Sequence, residues 1–208
     1  GIPGIAIPFY LAHPRLERLE RRMSGVVEGG NATGLMRILR HEAGHAIDTA
    51  YRLRRRRAWR EIFGPPLAPY PDAYSVDPLS RDFVQHLDGW YAQAHPAEDF
   101  AETFALWLAP RSRWRSRYAG WPALRKLECM DALMADIRGR APPVRSQHRI
   151  DPVATDGLTL REYYRRGVAR RAHRDYALVD GCFGRDFGPR PPRARARRAA
   201  PLLRSIRA

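Results

Sequence analysis

The chain has 208 residues, of which 44% are hydrophobic and 28% are charged. This size and composition suit one globular domain with a substantial core, and no apolar run approaches the roughly 18 residues of a transmembrane helix. The two cysteines, Cys129 and Cys182, are too far apart in sequence to indicate a disulfide framework or a cysteine-type zinc site, so they favour a reducing cytoplasm. The chain begins without Met, so a preceding segment and its targeting stay open.

The charge is strongly positive, because 37 basic residues stand against 22 acidic ones and give +15. All of the basic residues except Lys126 are arginines, and seven of them lie after residue 189. Residues 190–208 combine arginines with prolines and contain no acid, so we expect a disordered Arg-rich tail following a single domain at 1–189. Such a tail can contact polyanions non-specifically, although a solvated tail without a dedicated partner is the simpler interpretation.

The N-terminal segment contains the one clear strand candidate, from Ile5 to Leu11, with Val26-Val27 as a short partner. We therefore expect a small sheet near the N-terminus of an otherwise helical chain. The charged segment between them, Pro14 to Met23, predicts a helix. The expected fold class is mainly α, in the form of an α+β domain with this small sheet near its N-terminus.

A longer helix is predicted from Leu35 into the basic stretch at 52–57, with Thr33 as a candidate N-cap. It carries the motif HEAGH at 41–45. Residues four apart lie on one face of a helix, so His41 and His45 can offer two imidazole nitrogens to one metal ion. Glu42 lies about 100° round the helix and can act on a water molecule at that metal. The competing interpretation is two ordinary helix histidines.

A Pro-rich loop at 64–79 follows, which is either the wall or lid of a cleft or an inert connection. The next helix is predicted from Ala97 to Ala109, between Pro96 and Pro110. Further helices are predicted after Trp121-Pro122 and at the capping-box pattern Thr159 to Glu162.

The helix at 97–109 has the candidates for the third ligand that a catalytic zinc site needs. Glu98 and Glu102 are four residues apart and share one face, and Ala101 and Ala105 keep that face slim enough for a second helix to approach. We expect Glu98 to bind zinc and Glu102 to accept the outer N–H of a ligating histidine. The reverse assignment is open, as is an acidic first turn that only favours the helix dipole.

These two motifs together resemble the bacterial family of putative zinc-binding metallopeptidases, which are gluzincin-type zincins. The segment AEDFAETFA at 97–105 is also similar to a helix in the catalytic domain of anthrax lethal factor. The similarity extends from about Phe9 to Ile137. The resemblance implies that the first Glu of the later helix is the third ligand, and that a Tyr seven residues before it assists catalysis. That Tyr is Tyr91 here, for which a place in the core is an equal alternative.

The sequence therefore predicts a zinc-dependent peptidase that cleaves peptide or protein substrates. Zinc at His41, His45 and Glu98 would activate a water molecule, Glu42 would act as general base, and Tyr91 would stabilise the oxyanion. The alternative is a non-catalytic, zinc-containing module that binds nucleic acid or another polyanion through its arginines.

Overall fold

The computed structural model describes residues 2–71, 73–146, 157 and 159–166. Its α-helices are α1 (Pro14–Ser24), α2 (Ala32–Tyr51), α3 (Arg57–Phe63), α4 (Pro96–Leu108), α5 (Trp114–Arg117) and α6 (Ala123–Ile137). Short 3-10 helices lie at Phe9–Ala12, Leu53–Arg55 and Tyr91–Gln93. These described residues contain no β-strand, so the mainly α character is as expected and the predicted sheet is wrong.

The predicted strand from Ile5 to Leu11 is replaced by irregular chain up to Pro8 and by the 3-10 helix at Phe9–Ala12. Proline cannot donate to a strand ladder, which leaves Pro8 fit to start a helical turn instead. The predicted partner strand at Val26-Val27 lies in the turn that follows α1, because Gly25 ends that helix with a φ of 78°. The segment from Ile5 to Leu11 therefore has no partner strand at Val26-Val27.

The helix that carries the HEAGH motif is α2, and it begins at Ala32 with Asn31 as its N-cap rather than with Thr33. The Asn31 side chain accepts a hydrogen bond from the backbone N–H of Gly34 at 2.8 Å. The helix ends at Tyr51 because Arg52 adopts a left-handed conformation with a φ of 53°. This end lies where the basic stretch begins, and α3 continues the chain beyond it.

Helix α4 lies at the centre of the fold, since every residue from Ala97 to Leu106 is buried. One side of it faces a hydrophobic cluster that joins α3, α4 and α6: Leu53, Trp59, Phe63, Phe100, Phe104, Met130, Leu133, Met134 and Ile137. A second cluster lies around Leu106 and Leu127. The carboxylates of Glu98, Asp99 and Glu102 are therefore held inside the protein on a helix that the core fixes in place.

One predicted helix start is confirmed near the C-terminal end of the described residues. Thr159 and Glu162 form a capping box, because Thr159 N–H donates to the Glu162 carboxylate at 3.0 Å and Glu162 N–H donates to Thr159 Oγ1 at 3.2 Å. The chain is helical at 160–166. Among the helices described, none is long and apolar enough to cross a membrane. The predictions for Cys182 and for the tail at 190–208 lie outside the described residues.

Candidate metal centre

Helices α2 and α4 cross at very short range. A Cβ added to Gly44 would lie 2.9 Å from Ala101 Cα, 3.3 Å from Ala101 O and 3.2 Å from Phe104 Cβ. Only glycine fits at this crossing without a shift of one backbone. The face of α4 that carries Ala101 is therefore the face that contacts α2, as its small side chains indicate.

Three donor atoms meet where the two helices cross. His41 Nε2 lies 3.1 Å from His45 Nε2 and 3.1 Å from Glu98 Oε2, and His45 Nε2 lies 3.2 Å from Glu98 Oε2. His41 and Glu98 are buried, whereas the side chain of His45 is 25% exposed. The cluster is thus closed on the side of α4 and accessible to solvent beside His45.

The spacing of these atoms suits a zinc ion. Zinc bonds of about 2.0–2.1 Å in a tetrahedral arrangement separate two ligand atoms by roughly 3.3 Å, close to the observed 3.1–3.2 Å. Three electron-pair donors this close repel one another unless a cation, either a proton or a metal ion, lies between them. Two imidazoles and one carboxylate are also the ligand types of known catalytic zinc sites. His41, His45 and Glu98 therefore form a group that could hold a metal ion.

Glu102 contacts the outer side of the cluster. His41 Nδ1 lies 2.7 Å from Glu102 Oε1, and since a carboxylate only accepts, the imidazole donates this hydrogen bond. The other oxygen, Oε2, accepts a hydrogen bond from the backbone N–H of Leu87 at 2.7 Å. Both oxygens of Glu102 are thus engaged away from the three converging atoms, whereas Glu98 Oε2 lies among them.

The carboxylates make the cluster attractive to positive charge. Burial alone would lower the pKa of His41, but the hydrogen bonds and charges of Glu102 and Glu98 outweigh it and raise that pKa to about 9. Burial would raise the pKa of Glu98, yet the two histidines and Tyr70 hold it well below its usual range. A divalent cation at the same place would be stabilised by the same charges and would displace the proton from His41.

The remaining predicted site residues lie nearby with different degrees of contact. Glu42 is half-buried and adjacent to His41 in the chain. The ring of Tyr91 is 5.6 Å from the His41 ring between centroids, and that of Tyr74 is 6.4 Å from Tyr91. A further histidine, His86, donates from Nε2 to the Arg37 carbonyl at 2.9 Å and so ties its own segment to α2.

Tyr70 is a site residue that no sequence pattern indicates, and its phenol donates a hydrogen bond to Glu98 Oε1 at 2.9 Å. Its ring stacks on His95 with 3.8 Å between centroids. The Pro-rich loop at 64–79 therefore lies against the cluster as a wall. The available signal was the position of this aromatic loop between the two motifs, which does not specify which tyrosine reaches the site.

The segment that contains this site is similar to a known protein family. Residues 22–117 match the model of a protein family described as putative zinc-binding metallo-peptidase. This match covers both helices of the site. It confirms the family-level resemblance and zinc as the metal of the family.

The match also limits what the resemblance supports. It begins at residue 22 and ends at residue 117, so it is narrower at both ends than the expected similarity from about Phe9 to Ile137. No curated protein and no solved structure matches the chain. The relation to gluzincins and to anthrax lethal factor stays a prediction, as does a bacterial origin. At the coarse level, residues 22–117 are similar to a family of zinc-binding metallopeptidases.

Proposed function

We propose that this protein is a zinc-dependent peptidase whose metal ligands are His41, His45 and Glu98. The observation that carries this proposal is the triangle of donor atoms, with edges of 3.1–3.2 Å, at the crossing of α2 and α4. The family match at 22–117 gives the class of reaction, and peptides or proteins are the corresponding substrates. Zinc would supply a Lewis acid that polarises a carbonyl and brings the pKa of a water molecule towards about 7.

In this proposal, Glu42 is the general base. It takes a proton from the attacking water and gives it to the leaving amine when the peptide bond breaks. Its position suits this role, because the residue after His41 lies on the same helix but about 100° away from the ligand face. Glu42 is half-buried, so its side chain is partly accessible from solvent, where the attacking water enters the site.

Two further residues support the chemistry. Glu102 accepts the Nδ1–H of His41, which directs Nε2 towards His45 and Glu98. Tyr91 donates its phenol proton to the oxyanion that develops on the scissile carbonyl. The ring-to-ring distance of 5.6 Å between Tyr91 and His41 supports this assignment, since it places the Tyr91 ring beside one of the proposed ligands.

The alternative, a non-catalytic module that binds polyanions, has less support. It depends largely on the Arg-rich tail at 190–208, which lies outside the described residues. Several arginines of the described part are engaged in ion pairs, among them Arg54 with Asp48 and Arg56 with Asp136. Nucleic-acid binding would weaken steeply with salt and would not depend on Glu42.

The Glu42→Gln variant tests the proposal directly. We expect it to keep its zinc and to lose peptide hydrolysis by at least about 10²–10⁴-fold, because the amide cannot take a proton. Glu61→Gln is the matched control, since Glu61 is an exposed glutamate that pairs with Arg57 on α3. A Glu42→Gln variant that cleaves a peptide library as fast as the wild type would contradict the assignment.

A further inference from the structure

The two oxygens of Glu98 have different partners. Oε2 lies among the histidine nitrogens, at 3.1 Å from His41 Nε2 and 3.2 Å from His45 Nε2. Oε1 is turned away from them and accepts the hydrogen bond of the Tyr70 phenol at 2.9 Å. A carboxylate that is free to rotate would present either oxygen, or both, to a metal ion beside the histidines. Here the Tyr70 hydroxyl binds Oε1 and leaves Oε2 facing the histidine nitrogens.

The phenol is the donor in this contact. A carboxylate can only accept, so the Tyr70 hydroxyl carries the proton of the hydrogen bond to Glu98 Oε1.

Tyr70 is itself held in place by the N-terminus of α4. His95 is the N-cap of that helix, because its Nδ1 accepts the backbone N–H of Ala97 at 3.0 Å. Its other nitrogen, Nε2, donates to the Ala68 carbonyl of the loop at 2.8 Å. The Tyr70 ring stacks on the same imidazole with an interplanar angle of 11°. The cap of the Glu98 helix therefore also fixes the loop residue that contacts Glu98.

We propose that Tyr70 is a positioning residue that occupies Glu98 Oε1 and so makes Oε2 the single oxygen offered to the metal ion. This inference rests on the proposed zinc site. Outer hydrogen bonds that orient a ligand typically contribute a factor of about 10–100 to metal affinity. Without the phenol, Glu98 would have to give up rotational freedom on binding, and both of its oxygens would be available to the metal ion.

Zinc affinity, measured by competition with a chelator, tests this role without reference to hydrolysis. We expect Tyr70→Phe to bind zinc about 10–100-fold more weakly than the wild type, because the ring keeps its stacking on His95 while the hydroxyl is lost. Tyr74→Phe is the matched control, since it removes a hydroxyl of the same loop that donates to the Gly89 carbonyl at 2.9 Å. Its zinc affinity should equal that of the wild type.

Cobalt(II) provides a second measurement. If both Glu98 oxygens bind the metal when the phenol is removed, the coordination number rises and the visible absorption of cobalt weakens. We expect this change in Tyr70→Phe and not in Tyr74→Phe. A Tyr70→Phe variant with wild-type zinc affinity, or an equal loss in both variants, would overturn the positioning role, and an unchanged cobalt spectrum would overturn the single-oxygen assignment. A wild-type chain that binds no zinc would instead refute the proposed function itself.

Discussion

Gly44 and Ala101 are in such close contact that a Cβ on Gly44 would lie 2.9 Å from the Ala101 Cα. This approach brings the histidines of α2 within hydrogen-bond distance of the carboxylates of α4. A small residue at 44 is therefore as necessary for the site as the ligands are. The glycine lies inside the HEAGH motif, so the same five residues supply both the donors and the space in which they meet their partner.

Gly44→Ala should separate the two helices. We expect a loss of about 1–3 kcal/mol in the free energy of unfolding, because the new methyl group must displace backbone atoms. Zinc affinity should fall as well. Gly34→Ala is the control on the same helix, since the three atoms nearest to its Cβ would be Asn31 side-chain atoms at 3.4–3.8 Å. That change should stabilise α2 by up to about 1 kcal/mol.

Denaturant unfolding and chelator competition measure the two effects. Equal stability and zinc affinity in Gly44→Ala and in the wild type would show that the helices can separate freely, contrary to the short contact at Ala101.

The two glutamates of α4 should differ in what their loss does to the metal. Glu98→Ala removes the oxygen that lies 3.1 Å from His41 Nε2, so we expect no stoichiometric zinc. Glu102→Ala leaves the three converging atoms in place and removes only the acceptor of His41 Nδ1–H. Its zinc affinity should fall by about 10–100-fold. Metal analysis of both variants distinguishes the roles, and retention of zinc by Glu98→Ala together with its loss in Glu102→Ala would reverse them.

Tyr91→Phe should reduce the rate of hydrolysis rather than the binding of the metal. Loss of one donor to an oxyanion typically lowers kcat by about 10²–10³-fold. Zinc content should stay that of the wild type, because Tyr91 contacts the site through the His41 ring and not as a ligand. Tyr51→Phe is a suitable control, since that hydroxyl donates to the Arg140 carbonyl. A wild-type kcat in Tyr91→Phe would contradict the catalytic role and favour the alternative that Tyr91 is a core residue.

The C-terminal end of α2 depends on a buried ion pair whose strength should vary with pH. Asp48 is fully buried and accepts Arg54 Nε at 2.8 Å and the Arg54 backbone N–H at 2.8 Å. Burial raises the pKa of Asp48, and Arg54 lowers it only in part. The folded state thus binds a proton at Asp48 more tightly than the unfolded chain does. The contribution of Asp48 to stability therefore falls as the pH rises from the ordinary pKa of an Asp through the raised pKa of Asp48.

Arg54→Met should therefore cost about 2 kcal/mol of unfolding free energy near neutral pH, below the value for a fully buried pair because solvent screens Arg54. The cost should be smaller at acidic pH than at about pH 8, because a protonated Asp48 needs no cationic partner. Arg57→Met, which removes an exposed pair with Glu61, should change stability little at either pH. Urea denaturation at both pH values tests this, and a loss that grows towards low pH would contradict it.

The sequence indicated the two helices of the site because their information is local. The four-residue spacing of His41 and His45, and of Glu98 and Glu102, determines which side chains share a face. Proline at 96 and the alanines of α4 are likewise read without knowledge of the rest of the chain. The capping box at Thr159 and the helix after Trp121-Pro122 follow the same rule, and both are present.

What the sequence could not predict depends on distant partners. The apolar alternation from Ile5 to Leu11 predicts a strand only if a second strand pairs with it, and Val26-Val27 instead follows the left-handed end of α1. The contact of Tyr70 with Glu98 spans 28 residues and depends on the path of an irregular loop. The short helix α5 has too few residues to show a periodic pattern. Local periodicity thus predicted which side chains converge, and tertiary packing places Tyr70 against one of them.

Zinc content is the most direct test of the central claim, that His41, His45 and Glu98 hold one metal ion. The wild type should contain about one zinc ion per chain after dialysis against metal-free buffer. His45→Ala should contain none, whereas His13→Ala, which changes the histidine that caps α1, should retain it. A wild-type chain that takes up no zinc, or a His45→Ala variant that retains a full equivalent, would contradict the account.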